Sequence, residues 1–195
     1  MDSAPFDDLD GQIWYNGEIK PWRNANLHVL THGLHYASCV FEGERAYNGK
    51  IFKLREHTDR LVGSANILGF NIPYNADDID EACNKVCEIN GIVDGYIRPV
   101  AWRGSEMMGV SAQQNTIHLA IAALPWPSYF SPEARMKGIR LMTAAWRRPA
   151  PDTAPTNSKA AGLYMICTMS KHAAEAEGYD DALMLDWRGQ IAEST

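Results

Sequence analysis

The sequence predicts an α+β chain built as two domains. Three observations carry that prediction. Two Asn-Gly dipeptides, Asn16-Gly17 and Asn48-Gly49, stand between short β-prone runs and mark tight hairpins. Two stretches after the second hairpin repeat apolar residues every three or four positions, the period of an amphipathic helix. A proline-flanked tryptophan, Pro125-Trp126-Pro127, then interrupts the pattern and reads as a connection between domains. Hairpins beside helices, rather than strict strand-helix alternation, define the class.

The elements follow in order. Residues 1–11, MDSAPFDDLDG, are expected to form a disordered leader. Ile13 to Ile19 makes the first hairpin, and Pro21 to Asn26 a polar connection. Val40 to Leu54 makes the second hairpin. A helix from about Arg55 to Leu68 presents Leu54, Leu61, Ala65 and Leu68 on one face and stops at Gly69. Asn75 caps a second helix with Ile79, Ala82, Cys83, Val86 and Ile89 on its apolar face, closed by Gly91. Strands are expected around Tyr96 to Trp102 and Thr116 to Leu124, which completes a small domain over 12–125. A linker over 126–136 leads to a second domain over 137–195. That domain holds a strand at Ile139 to Ala144, the proline-rich RRPAPDTAP, a helix with Lys159 at its mouth, and the strand DDALMLD.

Composition narrows the function. The chain has 195 residues, 46% hydrophobic and 22% charged, an ordinary globular balance. A net charge of −6 argues against nucleic acid as a partner. No apolar run reaches the roughly 18 residues of a membrane helix, and the acidic N-terminus has no apolar signal core. The four cysteines show no disulfide or zinc spacing, so a cytoplasmic location is expected. His32 and His35 lack further ligands at useful spacing, so no metal is expected.

The stretch from Pro155 onward concentrates the chemistry: an amine at Lys159, a phenol at Tyr164, and a carboxylate at Glu193 after a Trp-Arg-Gly turn. If the last strand folds back beside the helix, the three groups meet. By spacing alone, Lys159 is a solvated surface lysine. However, NSKAAGLY followed by EAEGYDDALMLDWRGQIAEST resembles the lysine region of the fold-type IV pyridoxal phosphate enzymes, in particular branched-chain amino acid aminotransferases. The resemblance reaches back to about Gln12 through several motifs in the same order. It implies a small α/β domain followed by the first part of a larger pseudo-barrel α/β domain. The family continues beyond Thr195, so the 195-residue polypeptide is expected neither to fold stably nor to transaminate by itself.

The same resemblance implies roles for single residues. Lys159 is the catalytic amine that forms a Schiff base with pyridoxal 5'-phosphate. Tyr164 holds the ring oxygen, Glu193 faces the ring nitrogen, and Arg60 in REHTDRL binds the phosphate. By spacing alone, Arg60 is a surface arginine paired with Asp59 or Glu56. Arg55 and His57 would support it. HGLHYASCVFEGERAY matches the substrate pocket, with Tyr36, Phe41 and Gly43 at its walls. Tyr96 and Arg98, two apart on a strand, share one face, and an arginine among Ile97, Pro99 and Val100 needs an anion. By the resemblance, Arg98 receives the side-chain carboxylate of glutamate. Met108, Val110, Trp126 and Tyr129 match further apolar positions, each of which plain packing would equally explain.

The implied activity is exchange of an amino group between leucine, isoleucine or valine and 2-oxoglutarate, giving branched 2-oxo acids and L-glutamate. Lys159 must be neutral to move the proton from the substrate α-carbon. The implied assembly is a homodimer or larger, with Tyr36 reaching the active site of a second subunit. Two alternatives remain. One is a D-amino acid aminotransferase or aminodeoxychorismate lyase on the same scaffold, against which Tyr96-Ile97-Arg98-Pro99 argues. The other is a fragment that acts only in oligomerisation.

Overall fold

The structure, a computed structural model, describes residues 5–126 and 132–195. The chain divides into two compact units. The first comprises Met1–Trp126 with Ser158–Ala160, and the second Pro127–Asn157 with Ala161–Thr195.

The first unit is an antiparallel sheet with helices. Its strands are β1 (Gln12–Tyr15) and β2 (Glu18–Pro21), joined at Asn16-Gly17. After the short helix α1 (His32–Tyr36) come β3 (Cys39–Phe41), β4 (Glu44–Tyr47) and β5 (Lys50–Ile51). Helices α2 (Leu54–Ile67) and α3 (Ala76–Ile89) follow, then the long strands β6 (Gly95–Arg103) and β7 (Ile117–Pro125). The sheet order is β2-β1-β7-β6-β4-β5, with β3 also on β6. Both Asn-Gly turns have positive φ at both residues, 51° and 91° in the first and 49° and 73° in the second. That is the mirror-image turn whose twist suits a hairpin. Asn75 caps α3 reciprocally with Asp78, since each side chain accepts from the other's backbone N–H.

Strand alternation sorts the residues of β6. Ile97, Pro99 and Ala101 lie opposite Ala123, Ile121 and Leu119 of β7 on one face. All six are buried, as are Leu61, Ala65, Ile79, Cys83 and Val86 from α2 and α3. Tyr96, Arg98, Val100 and Trp102 occupy the other face, beside Phe41 and Cys39 of β3. A one-residue slip would exchange the two faces. The burial of Ile97 and its neighbours therefore also fixes where Tyr96 and Arg98 point.

The second unit contains α4 (Pro132–Lys137), β8 (Leu141–Arg148), α5 (Met165–Ala176), β9 (Asp181–Asp186) and β10 (Ile191–Ser194). β8 and β9 are parallel, with α5 between them in the chain, and β10 returns antiparallel to β9. Ala144, Cys167, Ala174, Ala182 and Met184 form its core.

Three sequence expectations change here. The leader is not free from Pro5 onward: Arg23 pairs with Asp8 at 2.5 Å and Asp10 at 2.8 Å, and Phe6 stacks on Trp126. Residues 132–136, expected within the linker, are helical in α4. Lys159 does not open a helix. It stands two residues before a 3-10 turn over Ala161–Leu163, with α5 beginning only at Met165, and its neighbour Ala160 bridges to Val40, so residues 158–160 group with the first unit.

Candidate active site

Lys159 is held at its backbone. Its N–H donates to the Ser64 hydroxyl at 2.9 Å, and its carbonyl accepts from the Phe41 N–H at 3.2 Å. The neighbouring Ser158 hydroxyl donates to the Ser64 carbonyl at 3.0 Å. With the main chain fixed on both sides, the amine stands 5.1 Å from the centroid of the Phe41 ring.

Phe41 gathers a cluster on the open face of β6. The Arg98 guanidinium lies 4.6 Å from the Phe41 centroid and 5.0 Å from that of Tyr96. Trp126 packs on Tyr96, ring centroids 5.7 Å apart. Gly43 lies under Tyr96. A Cβ there would overlap the tyrosine hydroxyl and stand 3.1 Å from its Cζ. Among the described residues no carboxylate pairs with Arg98; two aromatic faces flank the cation instead. The sequence-predicted residues Phe41, Gly43, Tyr96, Arg98, Trp126 and Lys159 therefore share one region of one unit.

Arg60 has a partner that spacing did not suggest. Its Nε and one terminal nitrogen donate to the two oxygens of Glu42 at 2.5 and 2.7 Å, and His57 Nδ1 donates to the same carboxylate at 2.8 Å. Glu42 is fully buried, whereas the Arg60 side chain is 53% exposed. Burial raises the Glu42 pKa, but the bonds from Arg60 and His57 outweigh it, and the carboxyl sits below its ordinary range. Arg55 turns away to Asp77 and Asp80. Two residues on, Glu44 is also buried, and among the described residues neither of its oxygens has a hydrogen-bond partner. Burial, then the charges of Glu42 and Asp80, push its pKa up to about 8. Glu42, Ser64 and Ser158 were not singled out from the sequence as site residues. The signal for Glu42 was its place between Phe41 and Gly43, where alternation turns it toward the helix side.

Tyr164 and Glu193 belong to the second unit. Tyr164 precedes α5 and packs against its core. Glu193 on β10 pairs with Arg148 Nε at 3.1 Å, and Arg148 is held in turn by the Leu163 carbonyl at 3.1 Å.

Tyr36, Met108 and Val110 do not join the Phe41 cluster. They are exposed, at 46%, 60% and 80%, as are Leu27, Val29 and Leu34. Tyr129 lies outside the described residues. His32 and His35 each bond a backbone carbonyl, of Gly109 and Val29. Among the described residues no helix is long and apolar enough to cross a membrane.

Comparison with known proteins places this arrangement. The family described as Amino-transferase class IV matches residues 39–195. A probable branched-chain-amino-acid aminotransferase of Rickettsia conorii is 46% identical over the whole chain, which covers 66% of that relative's length. The crystal structure of the T.th. branched-chain amino acid aminotransferase with pyridoxamine 5'-phosphate aligns at a TM-score of 0.90 and 39% identity, over 95% of this chain and 63% of that one. The same enzyme complexed with N-(5'-phosphopyridoxyl)-L-glutamate aligns at 0.88 and 38%, over 95% and 62%. This chain belongs to the class IV aminotransferase family, and its fold is part of the fold-type IV aminotransferase fold. It spans just under two thirds of the relatives it matches.

Proposed function

We propose that this chain carries the lysine, the phosphate-binding arginine and the side-chain pocket of a pyridoxal 5'-phosphate-dependent branched-chain aminotransferase. The observation that carries the reading is the cluster of Lys159, Phe41, Gly43, Tyr96, Arg98 and Trp126 in one region of the first unit. One solved relative binds pyridoxamine 5'-phosphate in one structure and N-(5'-phosphopyridoxyl)-L-glutamate in another. The donors of each unit, taken by themselves, fit such a group: in the first an amine on a pinned backbone and a guanidinium oriented by a buried carboxylate, in the second a phenol and a carboxylate paired with an arginine.

Pyridoxal phosphate, when bound, supplies the electron sink that makes the substrate α-proton removable. Everything else falls to the protein. Lys159 would be the attachment amine and, as a free amine, would take the substrate α-proton and return it. Arg60 binds the phosphate, Tyr164 the ring oxygen, and Glu193 holds a proton on the ring nitrogen. Phe41, Tyr96 and Trp126 pack a branched aliphatic side chain and keep water from it. Arg98, at the edge of the same pocket, binds the distal carboxylate of glutamate or 2-oxoglutarate. One pocket thereby accepts both amino donors.

The exposed apolar residues Tyr36, Met108 and Val110, with Leu34 and Val29, support a face that a second copy of the chain covers. Tyr36, Met108 and Val110 would then reach substrate as part of a homodimer or larger assembly. Four free cysteines accord with a cytoplasmic location.

Borohydride reduction followed by peptide mass spectrometry tests the reading. In a protein of the relatives' full length that contains this chain, a pyridoxyl adduct on Lys159 and amino transfer from L-leucine to 2-oxoglutarate are expected. An unmodified Lys159, or turnover of D-alanine in place of L-leucine, would reject it.

A further inference from the structure

Glu42 stands between two pocket residues but points away from both. Phe41 and Gly43 face Tyr96 and Arg98, whereas Glu42 lies on the α2 side, fully buried. A buried carboxylate is costly unless donors surround it. Three do so within 2.8 Å: Arg60 Nε, a terminal nitrogen of Arg60, and His57 Nδ1. The Gly43 N–H adds a longer fourth contact at 3.3 Å.

The asymmetry of this pair is informative. If its purpose were to cancel two charges inside the protein, both partners would be buried, and apolar residues would serve as well. Here the anion is at 0% exposure and the cation at 53%. The carboxylate is the fixed half. It grips the guanidinium by two nitrogens in its own plane, a fork geometry that sets orientation as well as distance. Long arginine side chains lose their rotamer freedom only when something holds them, and Glu42 with His57 does so while the side chain remains open to solvent.

We propose that Glu42 is a positioning residue that, with His57, aims the Arg60 guanidinium at the phosphate of the bound cofactor. The inference rests on the assignment of Arg60 to that phosphate. It assigns Glu42 no contact with cofactor or substrate. It explains why an acidic residue occupies a buried site beside an aromatic pocket wall.

The test separates phosphate recognition from general damage. Dissociation constants of pyridoxal 5'-phosphate and of pyridoxal, which lacks the phosphate, are measured by equilibrium dialysis for the parent protein, Glu42→Gln, Glu42→Asp and Arg60→Gln. Glu42→Gln keeps the shape and removes the charge. It should weaken the phosphorylated ligand about ten- to a hundredfold, the range of one charged hydrogen-bond set, and leave pyridoxal unchanged. Glu42→Asp should fall between parent and Gln. If the Gln variant does not fold, the Asp variant is read in its place, with a smaller loss of the phosphorylated ligand and pyridoxal unchanged. A loss of phosphate preference in Arg60→Gln but not in the Glu42 variants overturns the positioning role alone. Preference kept in all variants overturns the Arg60 assignment and this inference with it. Equal weakening of both ligands in the Glu42 variants makes the residue merely structural and also overturns the proposal.

Discussion

The Lys159 N–H donates to the Ser64 hydroxyl, 2.9 Å away on α2. The proposed attachment amine is thus positioned by a helix distant in sequence, through its backbone. Ser64 is 2% exposed, so water cannot replace its hydroxyl. Ser64→Ala leaves a buried N–H without its acceptor and should cost about 1–3 kcal/mol in urea unfolding. Reductive labelling of Lys159 should also fall. A variant equal to the parent in both stability and labelling would show that the contact does not position the lysine.

Gly43 is required for space rather than for backbone freedom. Its φ is not in the left-handed region, yet a Cβ would overlap the Tyr96 hydroxyl and sit 3.1 Å from Cζ. Overpacking of this kind costs about 1–3 kcal/mol. If that strain falls on the pocket, Gly43→Ala lowers kcat/KM for L-leucine by about 5- to 150-fold. The double variant Gly43→Ala, Tyr96→Phe removes the overlapping oxygen and should recover part of the loss. Strictly additive losses in the two variants would mean the clash is not the cause.

Arg98 lies against two aromatic faces with no carboxylate partner among the described residues. Arg98→Met keeps an apolar stem and removes the charge. KM for 2-oxoglutarate should rise about ten- to a hundredfold, the worth of a charged hydrogen-bond set. KM for L-leucine should change far less. Equal changes for both substrates would remove Arg98 from carboxylate recognition.

The readable parts of the sequence were the local ones. Asn16-Gly17 and Asn48-Gly49 forced their turns, and the spacing of Ile79, Cys83 and Val86 announced α3, because such signals act within a few residues. Pairings across the chain were not readable. Lys159 was expected at the mouth of a helix. Ala160 instead bridges to Val40, and α5 begins only at Met165. Arg60 had acidic neighbours at Asp59 and Glu56, but its partner is Glu42 on the loop after β3. Asp8 and Asp10 looked solvated and are tied to Arg23. The resemblance supplied residue identities in the pocket, whereas only the fold showed what holds them.

Glu44 should give the protein an unusual dependence on pH. It lies opposite Ile97 on the helix-covered face, beside Glu42, Asp80 and the thiols of Cys83 and Cys87, and among the described residues its oxygens have no donor. Its folded pKa of about 8 lies above the ordinary value of 4.5. Below 4.5 the group is protonated in both states and contributes no slope. Between about 4.5 and 8 the unfolded chain releases the proton while the folded one keeps it, so stability falls as pH rises. The slope for one group approaches about 1.4 kcal/mol per pH unit at most. Glu42 acts in the opposite sense and in another window: its depressed pKa adds stability that is lost as pH falls below its ordinary range. Glu44→Gln removes only the upper slope. Urea unfolding from pH 5 to pH 9 should show the variant gaining on the parent up to about pH 8 and running parallel above it. Curves parallel throughout that range would mean that Glu44 is ionised in the folded protein and has a partner.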